Sequence, residues 1–289
     1  MTDQKRGILF IVLAAAGFSL MAVFVRLSGK LPVMEKAFFR NIVAALAAWI
    51  ILRRSGERFH LEKREWLPLF LRSLFGTIGL IANFWAIDRL GIADAAMLNK
   101  MSPFFAILMS LFILKETPGR RDILCLITAL FGAALVIKPG VGLAQLPALV
   151  GLLGGFFAGT AYTYVRKLGK SGVKGPIIVL AFSVFSCAAC LPFLIMDFRP
   201  MTGRQLLFLL LAGAAATLGQ LGITAAYRFA PAKEISVFDY SQVVFAAIFG
   251  FFLFGELPDA VSFLGYFLII GTALYRWRAA RSAGSERSG

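Results

Sequence analysis

The chain is poor in the side chains most enzymes work with. It has one histidine and three cysteines among 289 residues. Cys187 and Cys190 stand one helical turn apart inside an apolar run, with no histidine or third cysteine nearby. A structural zinc needs about four such ligands, so core packing is the reading for both. His60 lies in a basic loop with no partner in the pattern. No serine occupies a G-x-S-x-G elbow, and no G-x-x-x-x-G-K-[ST] loop is present. Neither acyl transfer by that route nor nucleotide hydrolysis is encoded. No metal or cofactor is expected. Charge is scarce as well, at 16% of residues, against about 25% in soluble domains. Acidic residues are the scarcer sign, 15 against 30 basic ones.

Apolar residues fill the space these absences leave, at 59% of the chain. No soluble core of this size hides that much. A helix in lipid must be apolar outside and must satisfy its own backbone. The lipid bilayer is therefore the expected partner. The net charge of +15 would suggest nucleic acid in a soluble protein. Here the basic residues fall in short clusters between apolar runs, which is the pattern of a topology signal, so no nucleic-acid partner is expected.

A membrane helix needs about 20 apolar residues. Ten segments qualify: roughly 7–27, 33–52, 66–88, 93–114, 121–138, 147–166, 175–196, 204–228, 233–254 and 258–277. Lys5 and Arg6 before the first run imitate a signal peptide, but the run is too long for a typical h-region and lacks a convincing A-x-A exit, so it reads as an uncleaved first span. With the N-terminus in the cytoplasm, 20 Lys and Arg fall on inside segments and 7 on outside ones. That bias places both termini in the cytoplasm and the chain in the cytoplasmic (inner) membrane as a multi-pass protein. Residues 279–289 are small and polar and read as a disordered cytoplasmic tail.

The chain also repeats itself. At an offset of 140, Val25, Arg26, Gly29 and Lys30 fall on Val165, Arg166, Gly169 and Lys170. Thr77, Gly79 and Ala86 fall on Thr217, Gly219 and Ala226, and Glu116 and Pro118 fall on Glu256 and Pro258. The fold class expected is an all-α membrane protein of ten transmembrane helices in two inverted five-helix repeats, 7–138 and 147–277. Five is odd, so the second half enters upside down. The turn LKETPGRR is basic where FGELPDAV is acidic, as an inside and an outside copy should be. Such repeats place a site near the midplane, between two symmetry-related gates.

The run Asp94-Ala95-Ala96, Leu98-Asn99, Ser102-Pro103-Phe104 with Glu116, and Glu35 with Phe39-Arg40-Asn41, resembles the drug/metabolite transporter superfamily, in its ten-helix EamA-type members. The resemblance covers both halves. It implies transport, and leaves the substrate open among amino acids, drugs and metabolites.

Ionisable residues within a span cost about 2.5–3.5 kcal/mol each on insertion scales, so each calls for a reason. Arg40 and Lys100 lie about six residues from their outer ends, roughly 9 Å deep. They are read as sharing an electropositive site, with snorkelling, or an Arg40–Glu35 tie, as the structural alternatives. Arg72 reads as snorkelling to the inner surface. Asp239 and Tyr240 mirror Asn99 and Lys100. Counted along straight helices, Lys100 and Asp239 stand about 10 Å apart along the membrane normal. They are therefore expected as separate contributions to one cavity, with Asp239 binding an amine or carrying a coupled proton. A structural hydrogen-bonding role for Asp239 is the alternative. Asn83 and Gln220 complete the candidate substrate-binding set. Trp85 reads as a belt residue, and Tyr162 and Tyr164 fit either role. Pro103 predicts a kink beside Asn99.

The expected activity is secondary transport of a small polar organic metabolite, an amino acid or related zwitterion or anion. A gradient of protons or another ion, or exchange, drives it by alternating access, with export favoured over import. The alternatives are import of a carboxylate or nucleoside-like compound, and a multidrug or lipid-carrier role. An integral-membrane enzyme would need a catalytic cluster that the sequence does not offer.

Overall fold

A computed structural model describes residues 3–55, 61–117, 119–137, 145–229 and 236–285. These residues are helical throughout, with no strand among them. In order they form α1 (Asp3–Leu27), α2 (Val33–Arg54), α3 (Lys63–Ile87), α4 (Ile92–Asn99), α5 (Ser102–Ile113) and α6 (Arg120–Ile137). After residue 144 come α7 (Leu146–Lys170), α8 (Gly175–Met196), α9 (Gly203–Phe229), a 3-10 turn (Ser236–Tyr240), α10 (Ser241–Phe254) and α11 (Ala260–Ser285).

Eight helical segments are long and apolar enough to cross a membrane, counting α4 with α5 and the 3-10 turn with α10. The expected ten include two more, α2 and α6. α2 carries Glu35, Lys36 and Arg40, and all three side chains are buried against protein. Burial in the bundle lets α2 keep its charges, since a charge facing protein partners avoids the cost of lipid. α6 opens on Arg120, Arg121 and Asp122. α11 continues to Ser285, past the Arg278 at which the tail was expected to lose structure.

The helices pack in pairs: α1 on α9, α3 on α7, α2 on α8 and α6 on α11. α7 also supports α4 and α5, and α1 supports α10. Lipid supplies no hydrophobic drive between helices, so close approach depends on small residues. The clearest case is the α7 glycine stripe. A Cβ on Gly155 would stand 2.5 Å from the Leu98 carbonyl oxygen, and one on Gly159 2.5 Å from that of Ser102. Those glycines seat the break between α4 and α5. Apolar side chains such as Phe252, Phe267, Ile195 and Met196 cover the outside.

Candidate functional site

The site begins where two helices break. Pro103 has no N–H to donate, and α4 ends at Asn99 before α5 starts at Ser102. Phe104 and Phe105 both donate to the Met101 carbonyl, and Tyr240 Oη donates to the Lys100 carbonyl at 3.2 Å. The second break lies between the 3-10 turn and α10, at Tyr240 and Ser241, without a proline to force it.

Because both helices break at this level, their polar residues meet. Lys100 Nζ stands 2.5 Å from Asp239 Oδ2. This corrects the expectation of separate contributions. The straight-helix count placed the two residues on opposite sides of the midplane, and neither helix is straight there. The other oxygen, Asp239 Oδ1, is buried without a partner among the described residues. Asn99 is half-buried beside the pair.

Arg40 does not join Lys100, which Asp239 already neutralises. It also does not pair with Glu35, whose carboxylate accepts the Arg199 backbone N–H at 3.3 Å. Arg40 Nη1 donates to Asn41 Oδ1 at 2.6 Å, and Asn41 in turn donates to Ser186 Oγ at 2.8 Å. Its companion is Arg72, which sequence reasoning sent to the surface. Arg72 is buried, with its guanidinium 4.0 Å from the centre of the Phe182 ring. Gly76, one turn along α3, makes the room: a Cβ there would lie 2.9 Å from Arg72 Nη1. Arg40 Nε, and Arg72 Nε and Nη1, have no hydrogen-bond partner among the described residues.

Tyr162 connects these groups. Arg40, Arg72 and Asp239 all lie within electrostatic reach of its hydroxyl. Half of its surface is nonetheless uncovered. The sequence leaves Tyr162 open between the two roles, because no periodicity separates a tyrosine turned inward from one at the interface. Asn83 is half-buried, with Oδ1 unpartnered among the described residues. Gln220 is half-buried on α9. Trp85 holds Arg89 over its ring at 3.9 Å and Tyr164 stacks on Phe75, so neither belongs to the polar centre.

Each end of the bundle is fastened by an arginine–glutamate pair. Arg26 Nη2 binds Glu256 Oε1 at 2.7 Å, and Arg26 Nη1 donates to the carbonyls of Ile87 and Leu90. Glu256 Oε2 accepts the Ile92 N–H at 2.8 Å, and Tyr266 donates to Asp94 at 2.7 Å in the same region. At the opposite end of α3 and α7, Glu116 binds Arg166 at 2.9 Å and Lys170 at 2.7 Å. The residues of one pair fall on those of the other at the offset of 140. A cavity of about 510 Å³ opens beside Arg26, with Lys30, Asp88, Arg89, Asp197 and Arg199 in its walls.

An apolar multi-helix bundle with buried, incompletely paired arginines at its centre and ionic fastenings at both ends is a multi-pass membrane transporter rather than an enzyme. The comparisons with known proteins agree. The EamA-like transporter family matches residues 5–138 and 145–275, and the chain belongs to that family. It is 33% identical over 270 residues to a pseudopaline exporter, CntI, of Pseudomonas aeruginosa, covering 92% of this chain and 94% of the relative. It is 24% identical to a riboflavin transporter of Vibrio cholerae, covering 96% and 95%. Mouse solute carrier family 35 member G1 is 26% identical, over 94% of this chain and 79% of the relative. One solved crystal structure shares the fold at 15% identity, with a TM-score of 0.68 over 96% of this chain and 98% of the other.

Proposed function

We propose that the chain is a secondary transporter of small carboxylate-bearing zwitterions, working by alternating access in the cytoplasmic membrane and exporting its solute. The carrying observation is the pair of buried arginines, Arg40 and Arg72, with three N–H-bearing nitrogens unpartnered among the described residues, beside the uncovered side of Tyr162. Buried donors left unmade are expensive, and a carboxylate matches the guanidinium fork. Asp239, with one oxygen free, takes the ammonium of the solute or a coupled proton. Lys100, Asn99, Tyr240, Asn83 and Gln220 complete the lining. Export rests on the relative named as an exporter.

The proposed architecture is ten spans in two inverted halves, 7–138 and 147–277, with both termini cytoplasmic. Several features support it. Helix pairing survives exchange of the halves: α1 with α9 becomes α7 with α3, and α5 with α7 becomes α10 with α1. The breaks at Lys100 and Tyr240 correspond, and so do the left-handed Lys115 and Gly255. The family model matches twice, once in each half. In this scheme the Arg26–Glu256 and Arg166–Glu116 pairs are the two gates, one on each side of the membrane.

A groove of about 320 Å³ between α6 and α11, lined by Leu124, Thr128, Phe267 and Tyr275, favours the lipid-carrier alternative. Transport by protein reconstituted in liposomes separates the two. Arg40→Gln with Arg72→Gln abolishes uptake of radiolabelled amino acids if the central reading holds. Undiminished uptake by well-folded double variant removes both arginines from the site.

A further inference from the structure

The two fastenings differ in one residue that the repeat makes conspicuous. At the Glu116 end the carboxylate holds two cations, Arg166 and Lys170. Their counterparts at the other end are Arg26 and Lys30. Among the described residues Glu256 takes Arg26 as its one cation and spends its second oxygen on the Ile92 N–H. Lys30 is thereby released, and it stands exposed in the wall of the 510 Å³ cavity with no ion pair among the described residues.

The other charges there are unequally occupied. Asp88 is held by the fully buried Lys36 at 2.6 Å. Arg89 lies over Trp85. Arg199 and Asp197 are both exposed and only loosely paired, at 3.9 Å. The cavity thus offers Lys30, Arg89 and Arg199 to carboxylates, and one loosely held acid, Asp197, to an ammonium. Its volume falls within the range of about 300–1,000 Å³ typical of small-molecule sites. Arg26 belongs both to this wall and to the latch.

We infer that this cavity is a second binding site, an anteroom for soluble carboxylate-bearing zwitterions that is separate from the Arg40–Arg72 centre. An anion in it competes with Glu256 for Arg26 and so loosens the latch from that side. The inference rests on the proposed substrate class, and its test stands apart from transport.

The reporter is Trp85, which stacks on the cavity residue Arg89. Trp49, Trp66 and Trp277 are replaced by Phe, and the full chain in phosphatidylcholine nanodiscs is titrated with L-glutamate at low salt. A saturable change in Trp85 fluorescence is expected, weakened at least tenfold by Lys30→Gln with Arg199→Gln and retained in Arg40→Gln. A linear response, or equal affinity in the Lys30/Arg199 variant, overturns the site. Repeating the titration in phosphatidylglycerol nanodiscs distinguishes a lipid phosphate from the soluble ligand. Unchanged affinity supports the soluble carboxylate. A signal already saturated by the lipid overturns it. A Lys30-dependent titration in a protein that moves no carboxylate keeps the anteroom and removes the substrate class. The reverse result removes the anteroom alone.

Discussion

At the Arg26 end a guanidinium and a carboxylate meet among backbone groups. At the Glu116 end the corresponding pair stands in the open. Arg26 and Glu256 expose 26% and 21% of their side chains, whereas Arg166 and Lys170 expose 59% and 55%. Arg26 also holds the Ile87 and Leu90 carbonyls, and Glu256 also holds the Ile92 N–H. The first is a hydrogen-bonded network with little water to compete. The second is a solvated ion pair of the kind that contributes little. One sequence frame used twice therefore gives a firm latch and a loose one. The difference comes from what surrounds each pair, not from the pair itself.

The largest expected effect comes from removing the firm carboxylate. Glu256→Ala removes the carboxylate acceptor of Arg26 Nη2 and of the Ile92 amide, and costs about 1.5–3 kcal/mol, the value of hydrogen bonds to charged groups. Glu116→Ala should lower the thermal midpoint in nanodiscs by a small fraction of that drop. Equal drops would break the comparison.

Salt comes next. From 0.1 to 1 M, the screening length shrinks from about 10 Å to about 3 Å. Hydrogen exchange at residues 114–117 should accelerate while residues 255–257 hold steady. Acceleration at both ends would mean that water reaches the Arg26 pair as freely as the other.

Acid acts on the two ends with opposite sign. The hydrogen bond from Lys170, aided by Arg166 and opposed by burial, holds the Glu116 carboxyl below its ordinary value. Its contribution is intact above the ordinary glutamate range and is lost as pH falls through the depressed value. Burial pushes the Asp88 carboxyl up, against the pull of Lys36. Charging Asp88 opposes folding, so the same acidification relieves the Arg26 end. After correction for intrinsic rates, exchange at 114–117 should rise on acidification while exchange at 88–92 holds or falls.

The smallest effect sharpens the comparison. Lys115 adopts a left-handed φ of 56°, where its counterpart Gly255 has 66°. A side chain there costs about 1–2 kcal/mol. Lys115→Gly should raise the thermal midpoint by a corresponding small amount, and a fall would show that the Lys115 side chain has a stabilising contact.

Much of this was legible in the chain. The apolar runs marked the helices, Pro103 marked the break, and the constant offset paired Arg26 with Arg166 and Glu116 with Glu256. The offset aligned these residues without showing that they bind across the halves, because contact depends on which helices pack together. Lys100 with Asp239 was missed for a geometric reason: depth was counted along helices that break. Arg72 was misplaced because a long cation near a helix end ordinarily reaches for water. The signals that it does not, Gly76 beside it and Phe182 far along the chain, carry meaning only once α3 and α8 touch. The Arg26 cavity gathers residues from three separate loops, and no spacing announces it.

With one latch firm and the other loose, the protein should rest latched at the Arg26 end and open first at the Glu116 end. The repeat supplies a matched pair of reporters. Glu116 N–H donates to the Ser110 carbonyl at 3.2 Å, and Glu256 N–H donates to that of Gly250 at 3.0 Å. Native-state hydrogen exchange of these two amides, in lipid and without solute, compares the ends directly. Protection at Glu256 exceeding that at Glu116 by tenfold or more is the predicted result. Equal protection, or greater protection at Glu116, would contradict it.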